Sequence, residues 1–225
     1  MSFNAMIQWL SDNASLLLGA TWETIYMVLV AGLIGFAVGI PLGVILHTTK
    51  AGGLHQNPKL NRVLGAIVNI GRSVPFLVLM VAIIPFTKMI VGSFIGTTAA
   101  IVPLTIGAIP FVARLVESAL MEVPNGLVEA AQSMGATPMQ IINKVLLPEA
   151  LPTIINTVTI TLVTLVSYSA MAGTVGGGGL GDVAIRYGFY RYDVTIMIVT
   201  VIMLIVLVQI IQSIGDAIVR RVDHR

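Results

Sequence analysis

Residues 24–49 read TIYMVLVAGLIGFAVGIPLGVILHTT, without one Asp, Glu, Lys or Arg. At about 1.5 Å per residue, a helix of that length crosses the ~30 Å hydrocarbon core of a bilayer. Working outward along the chain, 89–113, 150–181 and 194–215 are equally free of charge. An unpaired charge at mid-membrane costs at least ~2.5 kcal/mol, so such runs predict spanning helices. A fifth stretch, 63–87, contains only Arg72. The composition agrees: the 225 residues are 56% hydrophobic and 10% charged with a mean hydropathy of +0.97, whereas soluble domains carry about a quarter charged residues. The reading is an all-α polytopic membrane protein with about five spans, near 21–49, 63–86, 92–115, 150–172 and 194–217.

Charge sets the orientation. The first 49 residues hold no Lys or Arg, so no positive n-region of a cleaved signal is expected, and the amino terminus is expected outside. Five spans then place the carboxyl terminus inside. Lys50, Lys59 and Arg62 fall in the first inner loop, Arg114 and Lys144 in the second, and Arg220, Arg221 and Arg225 in the 220–225 cytoplasmic tail, as positive-inside topology requires. Only Lys88, Arg186 and Arg191 fall on the other side. Trp22, Tyr26, Tyr187, Tyr190 and Tyr192 sit where interfacial aromatics are expected. Residues 1–20 form an outer segment, read as an interfacial helix or a disordered start. Twelve basic and ten acidic residues, scattered, leave no nucleic-acid footprint. With no cysteine, thiolate chemistry and Cys-ligated metals are excluded.

Within the first span Gly35, Gly39 and Gly43 recur every four residues, a surface that another backbone can approach closely, with Pro41 expected to bend the helix. Pro75, Pro85, Pro103 and Pro110 interrupt the second and third spans.

The polar interval 114–149 has the grammar of a folded element. Leu127, Ala130, Ala131 and Met134 follow i, i+3, i+4, i+7 spacing, predicting a short amphipathic helix that Gly135 ends as a left-handed cap. Thr137, Pro138 and Gln140 predict the capping box of a second short helix, and Arg114 and Glu117 are spaced to pair. Glu129-Ala130-Ala131, three residues, Gly135, nine residues, then Val145-Leu146-Leu147-Pro148 resembles the cytoplasmic EAA signature of ABC importer permeases. Arg72-Ser73-Val74-Pro75-Phe76, the 134–141 and 144–152 segments, and Tyr168-Ser169-Ala170-Met171 followed by 173–181 are similar to the methionine branch of that family.

That resemblance implies a type I ABC importer permease fold in a bacterial inner membrane, passing methionine, L- and D-, or another small ligand such as a different amino acid or a quaternary amine. It implies a homodimer, two ATP-binding subunits and an extracytoplasmic methionine-binding protein as partners. The 122–149 loop would be the coupling element, with Glu129, Ala130, Ala131, Gly135, Leu147 and Pro148 at the ATPase seam. No Gly-x-x-x-x-Gly-Lys-Ser/Thr phosphate loop occurs, so this chain is expected to bind no cofactor, and ATP with magnesium belongs to the partner ATPase. Pathway or gate candidates are Arg72, Ser167, Tyr168, Ser169 and Met171. Thr157, Thr159, Thr161 and Thr164 extend that polar series and either line a path or bond back to their own helix. Arg72 either attracts a carboxylate in a cavity or caps helix carbonyls near the inner interface. Met171 is a flexible apolar gate or core packing. An ion-coupled carrier is disfavoured because no acid lies within a span, and an intramembrane hydrolase because His47, His55 and His224 lie near or beyond the inner edge.

Overall fold

A computed structural model describes residues 3–222; Asp223, His224 and Arg225, the end of the expected tail, lie outside the described residues. The chain is helical: α1 (Phe3–Thr49), α2 (Pro58–Ser73), α3 (Phe76–Ala82), α4 (Ile84–Val91), α5 (Thr97–Met121), α6 (Asn125–Ser133), α7 (Pro138–Ile141), α8 (Leu147–Gly173), α9 (Gly179–Val183) and α10 (Val194–Val222). Single π-helical turns occupy Ile142–Leu146 and Ala184–Phe189. Ser11–Thr49, Thr97–Met121, Pro138–Gly173 and Val194–Val222 are each long and apolar enough to cross a membrane, and the bent pair α2 with α3 is the fifth such stretch.

Three expectations about the helices change. The opening segment is no separate surface helix, because α1 runs unbroken from Phe3 and continues through Pro41. Its polar side chains bond back to the helix: Asn13 Nδ2 donates to Trp9 O at 2.9 Å and Thr21 Oγ1 to Leu17 O at 2.7 Å. The expected 63–86 span is not one helix either, since α2 and α3 meet at 100°. Pro75 has no N–H to donate and pushes the residue before it out of the helical region; Val74 is accordingly extended at φ −82°, ψ 122°. Finally, the helix capped by Thr137 is not a separate short helix. It continues through the π turn into α8, so the span expected at 150–172 begins at Pro138.

The chain divides into two compact units, residues 1–31, 76–104 and 164–210, and residues 32–75, 105–163 and 211–225. In the first, Leu17 and Ala20 of α1 pack with Leu180, Val183 and Ile196. In the second, Val112, Val116 and Leu120 of α5 share a core with Ala131, Ile141, Ile142 and Leu146, while Leu46, Val68 and Ala113 join α1, α2 and α5. The glycine ladder of α1 belongs to this second unit and faces α5 of the same chain. A Cβ at Gly35 would lie 2.9 Å from Ala108 Cβ, at Gly39 2.7 Å from Val112 Cβ, and at Gly43 2.6 Å from the carbonyl oxygen of Ala113. Only missing side chains allow that approach.

Candidate functional site

The inner lever is built from the residues read in the sequence, with its faces reassigned. Gly135 adopts φ 77°, where a Cβ is disfavoured. Its N–H bonds Gln132 O at 2.9 Å and the Ala136 N–H bonds Ala131 O at 3.1 Å, the paired bonds of a Schellman turn. The capping box follows at once, with Thr137 N–H donating to Gln140 Oε1 at 2.8 Å and Gln140 N–H to Thr137 Oγ1 at 3.4 Å. Arg114 and Glu117 pair at 2.7 Å, Glu117 being buried.

The expected apolar stripe of α6 does not all turn inward. Val128 and Ala131 pack on the core, whereas Ala130 is exposed, Leu127 is 42% exposed and Met134 81%. A nine-residue helix lying on the core buries one narrow arc, which leaves the neighbouring arc Leu127, Ala130 and Met134 outward; Met139 of α7 is exposed as well. Glu129 is on neither arc. It lines a cavity of about 280 Å³ with His47, Lys50, Asn125 and Gln132. Of the six expected coupling residues, Ala130, Glu129, Gly135 and Pro148 are exposed, Leu147 is half-buried, and Ala131 belongs to the core.

The pathway candidates separate too. Ser169 is buried and donates to Val166 O at 2.7 Å. Thr159 and Thr161 likewise bond back, to Ile155 O at 3.1 Å and Thr157 O at 2.8 Å. Tyr168 stacks on Phe76, centroids 4.4 Å apart and nearly parallel, fixing α3 against α8. Ser167 and Met171 are exposed. Arg72 lies in the last turn of α2, exposed, and makes no hydrogen bond or ion pair among the described residues, so it caps no carbonyl.

The glycine-rich 173–181 segment is tied to α1. Glu23 Oε2 accepts the Gly179 N–H at 2.7 Å and Thr24 Oγ1 the Leu180 N–H at 2.9 Å, so two side chains of α1 cap α9. A Cβ at Gly179 would lie 2.7 Å from Thr24 Oγ1, and one at Gly173 would strike the Asp182 backbone. Sequence reading missed Glu23 and Thr24, although a lone acid at the edge of an apolar run was a usable signal. One turn on, Asp182 pairs with Arg186, and its hydrogen bond and charge push that guanidinium above its ordinary pKa.

A family model described as binding-protein-dependent transport system inner membrane component matches residues 39–224. Over its full 225 residues the chain is 83% identical to the full length of a probable D-methionine transport system permease protein MetI of Vibrio cholerae serotype O1. It is 60% identical over 158 residues, 70% of this chain and 73% of the relative, to the D-methionine transport system permease protein MetI of Escherichia coli K12. A chain of the solved inward-facing MetNI methionine ABC transporter superimposes with a TM-score of 0.93 at 54% identity, covering 95% of this chain and 99% of that one. A chain of an amino acid ABC transporter shares the fold, with a TM-score of 0.80 at 20% identity over 98% of this chain and 99% of its own.

Proposed function

The chain belongs to the family of binding-protein-dependent transport system inner membrane components, and on that premise we propose that α6 and its Schellman turn form the lever through which ATP hydrolysis elsewhere drives transport. The chain is the multi-pass inner-membrane permease subunit of a methionine ABC importer, and ATP is hydrolysed on a separate ATP-binding subunit. One observation carries the lever: a capped helix exposes Leu127, Ala130 and Met134 on one side while Ala131 locks its other side into the core shared with α5. An exposed apolar arc with two methionines nearby suits an adaptable protein groove. The ATPase docks on that arc, with ATP and magnesium bound by the ATPase and none by this chain. Glu129 acts from the cavity beside Lys50, holding the first inner loop to the lever. Leu147 and Pro148 complete the support at the start of α8.

Two copies of the chain enclose the path, each with its own ATPase, and a methionine-binding protein delivers L- or D-methionine from outside. Ser167 and Met171 are exposed on α8 and supply hydroxyl and thioether contacts to the passing ligand, while Tyr168 and Ser169 hold the wall. The test is ATP-dependent uptake of labelled methionine by the reconstituted complex of permease, ATPase and binding protein. Accumulation that needs all three supports the reading; uptake by the purified chain without ATP refutes it.

A further inference from the structure

Helix α2 carries two exposed flanks of opposite chemistry. Its packed seam is Asn61, Leu64, Val68 and Gly71: Val68 is buried with Leu46 and Ala113, and Asn61 Nδ2 donates to Leu46 O at 2.7 Å. To one side of the seam Val63, Ile67 and Ile70 are 58%, 59% and 67% exposed, the surface that lipid requires. To the other side Arg62, Asn69, Arg72 and Ser73, all exposed, follow the i, i+7, i+10, i+11 spacing of a single helical face. Ser73 Oγ donates to Asn69 O at 2.8 Å. The Asn69 carboxamide and the Arg72 guanidinium have no partner among the described residues, and α2 contains no acid.

Depth gives that flank its meaning. A Cβ on Gly71 would touch Pro110 at 3.0 Å, and Pro110 is the fourteenth of the 25 residues of α5. Arg114, the first charge toward the inner end of that helix, is four residues on, so Pro110 lies about 6 Å inside it. Arg72, the next residue after Gly71, therefore lies in the inner part of the span and not in a loop. An arginine within a span turns to protein or water.

We infer that the Arg62–Ser73 polar flank of α2 lines a water-filled path and that Arg72 and Asn69 form a subsite in it for the carboxylate of a zwitterionic amino acid. The guanidinium fork matches the two oxygens of a carboxylate, and the Asn69 amide, one turn away, supplies a further donor. No acid on α2 competes for the fork, and water around the site keeps its grip weak enough for release. The ligand class rests on the importer reading above; the aqueous flank rests on α2 alone.

The chain has no cysteine, so single cysteines report accessibility directly. In proteoliposomes of the permease with its ATPase, Asn69→Cys and Arg72→Cys should react with a charged methanethiosulfonate reagent within about tenfold of the loop control Gln56→Cys, and Ile67→Cys about a hundredfold more slowly. Millimolar methionine should slow labelling of Asn69→Cys, which keeps the guanidinium, and not of Arg72→Cys, which lacks it. Arg72→Gln should co-purify with the ATPase and lose at least about tenfold in methionine uptake, the usual effect of deleting one charge-assisted hydrogen-bonded pair, with Arg72→Lys intermediate. Asn69→Cys as inert as Ile67→Cys, a disulfide forming between two copies at position 69 or 72, or Asn69→Cys labelling indifferent to methionine with undiminished Arg72→Gln uptake would each overturn the subsite. In all three cases wild-type uptake persists. Failure of the wild-type complex to import methionine while Asn69→Cys labels freely would instead overturn the importer reading.

Discussion

Replacing Gly135 by alanine isolates the backbone cost of the lever's turn. Gly135 has φ 77° and an added Cβ would meet no atom within 4 Å, so no steric clash enters. What remains is the intrinsic penalty of an L residue in the left-handed region, about 1–2 kcal/mol. That shifts the opening equilibrium of the turn by about 5- to 30-fold. Asparagine tolerates this conformation far better, so Gly135→Asn should recover most of the loss. Gly135→Trp carries the alanine penalty and adds bulk projecting from the α6 side of the lever.

Amide hydrogen exchange in the purified permease–ATPase complex reads the effect where it occurs. The amides of residues 135 and 136 are held by Gln132 O and Ala131 O. In Gly135→Ala both should exchange about 5- to 30-fold faster than in wild type, and in Gly135→Asn close to wild type. Coupled uptake should follow the same order, with Gly135→Trp lowest. Exchange in Gly135→Ala indistinguishable from wild type, or Gly135→Asn as fast as Gly135→Ala, would refute the claim that left-handed geometry is what the glycine supplies.

Gly39→Leu drives atoms into Val112, whose Cβ already lies 2.7 Å from the site of an added Cβ; overpacking of about 1–3 kcal/mol should lower the melting temperature and the folded yield in detergent. Thr24→Val keeps the volume of a side chain only 1% exposed but removes the acceptor for the Leu180 N–H, which should cost about 1–3 kcal/mol by thermal unfolding, while Glu23→Gln, retaining an acceptor for Gly179, should cost less. Met134→Glu and Leu127→Glu should weaken ATPase co-purification at least about tenfold each, the loss of one buried apolar side chain, without altering membrane insertion.

How far the sequence foretold this arrangement follows from which forces are local. The charge-free runs found the long spans because bilayer burial acts on every residue of a span. Gly135, Thr137, Pro138 and Gln140 were legible because caps are decided within four residues. Pro75 signals a break after Ser73 but not its 100° corner, because the direction taken after a break depends on what the next helix packs against, here Phe76 on Tyr168. The arcs of α6 were beyond periodicity. Leu127, Val128, Ala130, Ala131 and Met134 are all apolar, so only tertiary packing selects the buried arc. Glu23 and Thr24 capping α9 bridges 156 residues, a separation no local pattern reports.

The mechanical content of the lever lies in its turn more than in its exposed arc. Between Ser133 and Pro138 every backbone donor that could loosen the link is tied, Met134 to Ala130 O, Gly135 to Gln132 O, Ala136 to Ala131 O and Thr137 to Gln140 Oε1. The helix that begins at Pro138 continues unbroken to Gly173, and Ala131 shares a core with Val112, Val116 and Leu120 of α5. A displacement of α6 therefore reaches one membrane helix through the capped turn and another through close packing, which does not deform continuously. Loss of an outward side chain weakens docking and with it both hydrolysis and uptake. Softening of the turn leaves the docked arc intact and lets α6 move without the span. Gly135→Ala should accordingly raise the number of ATP molecules hydrolysed per methionine imported at unchanged ATPase co-purification, whereas Met134→Glu should lower co-purification first.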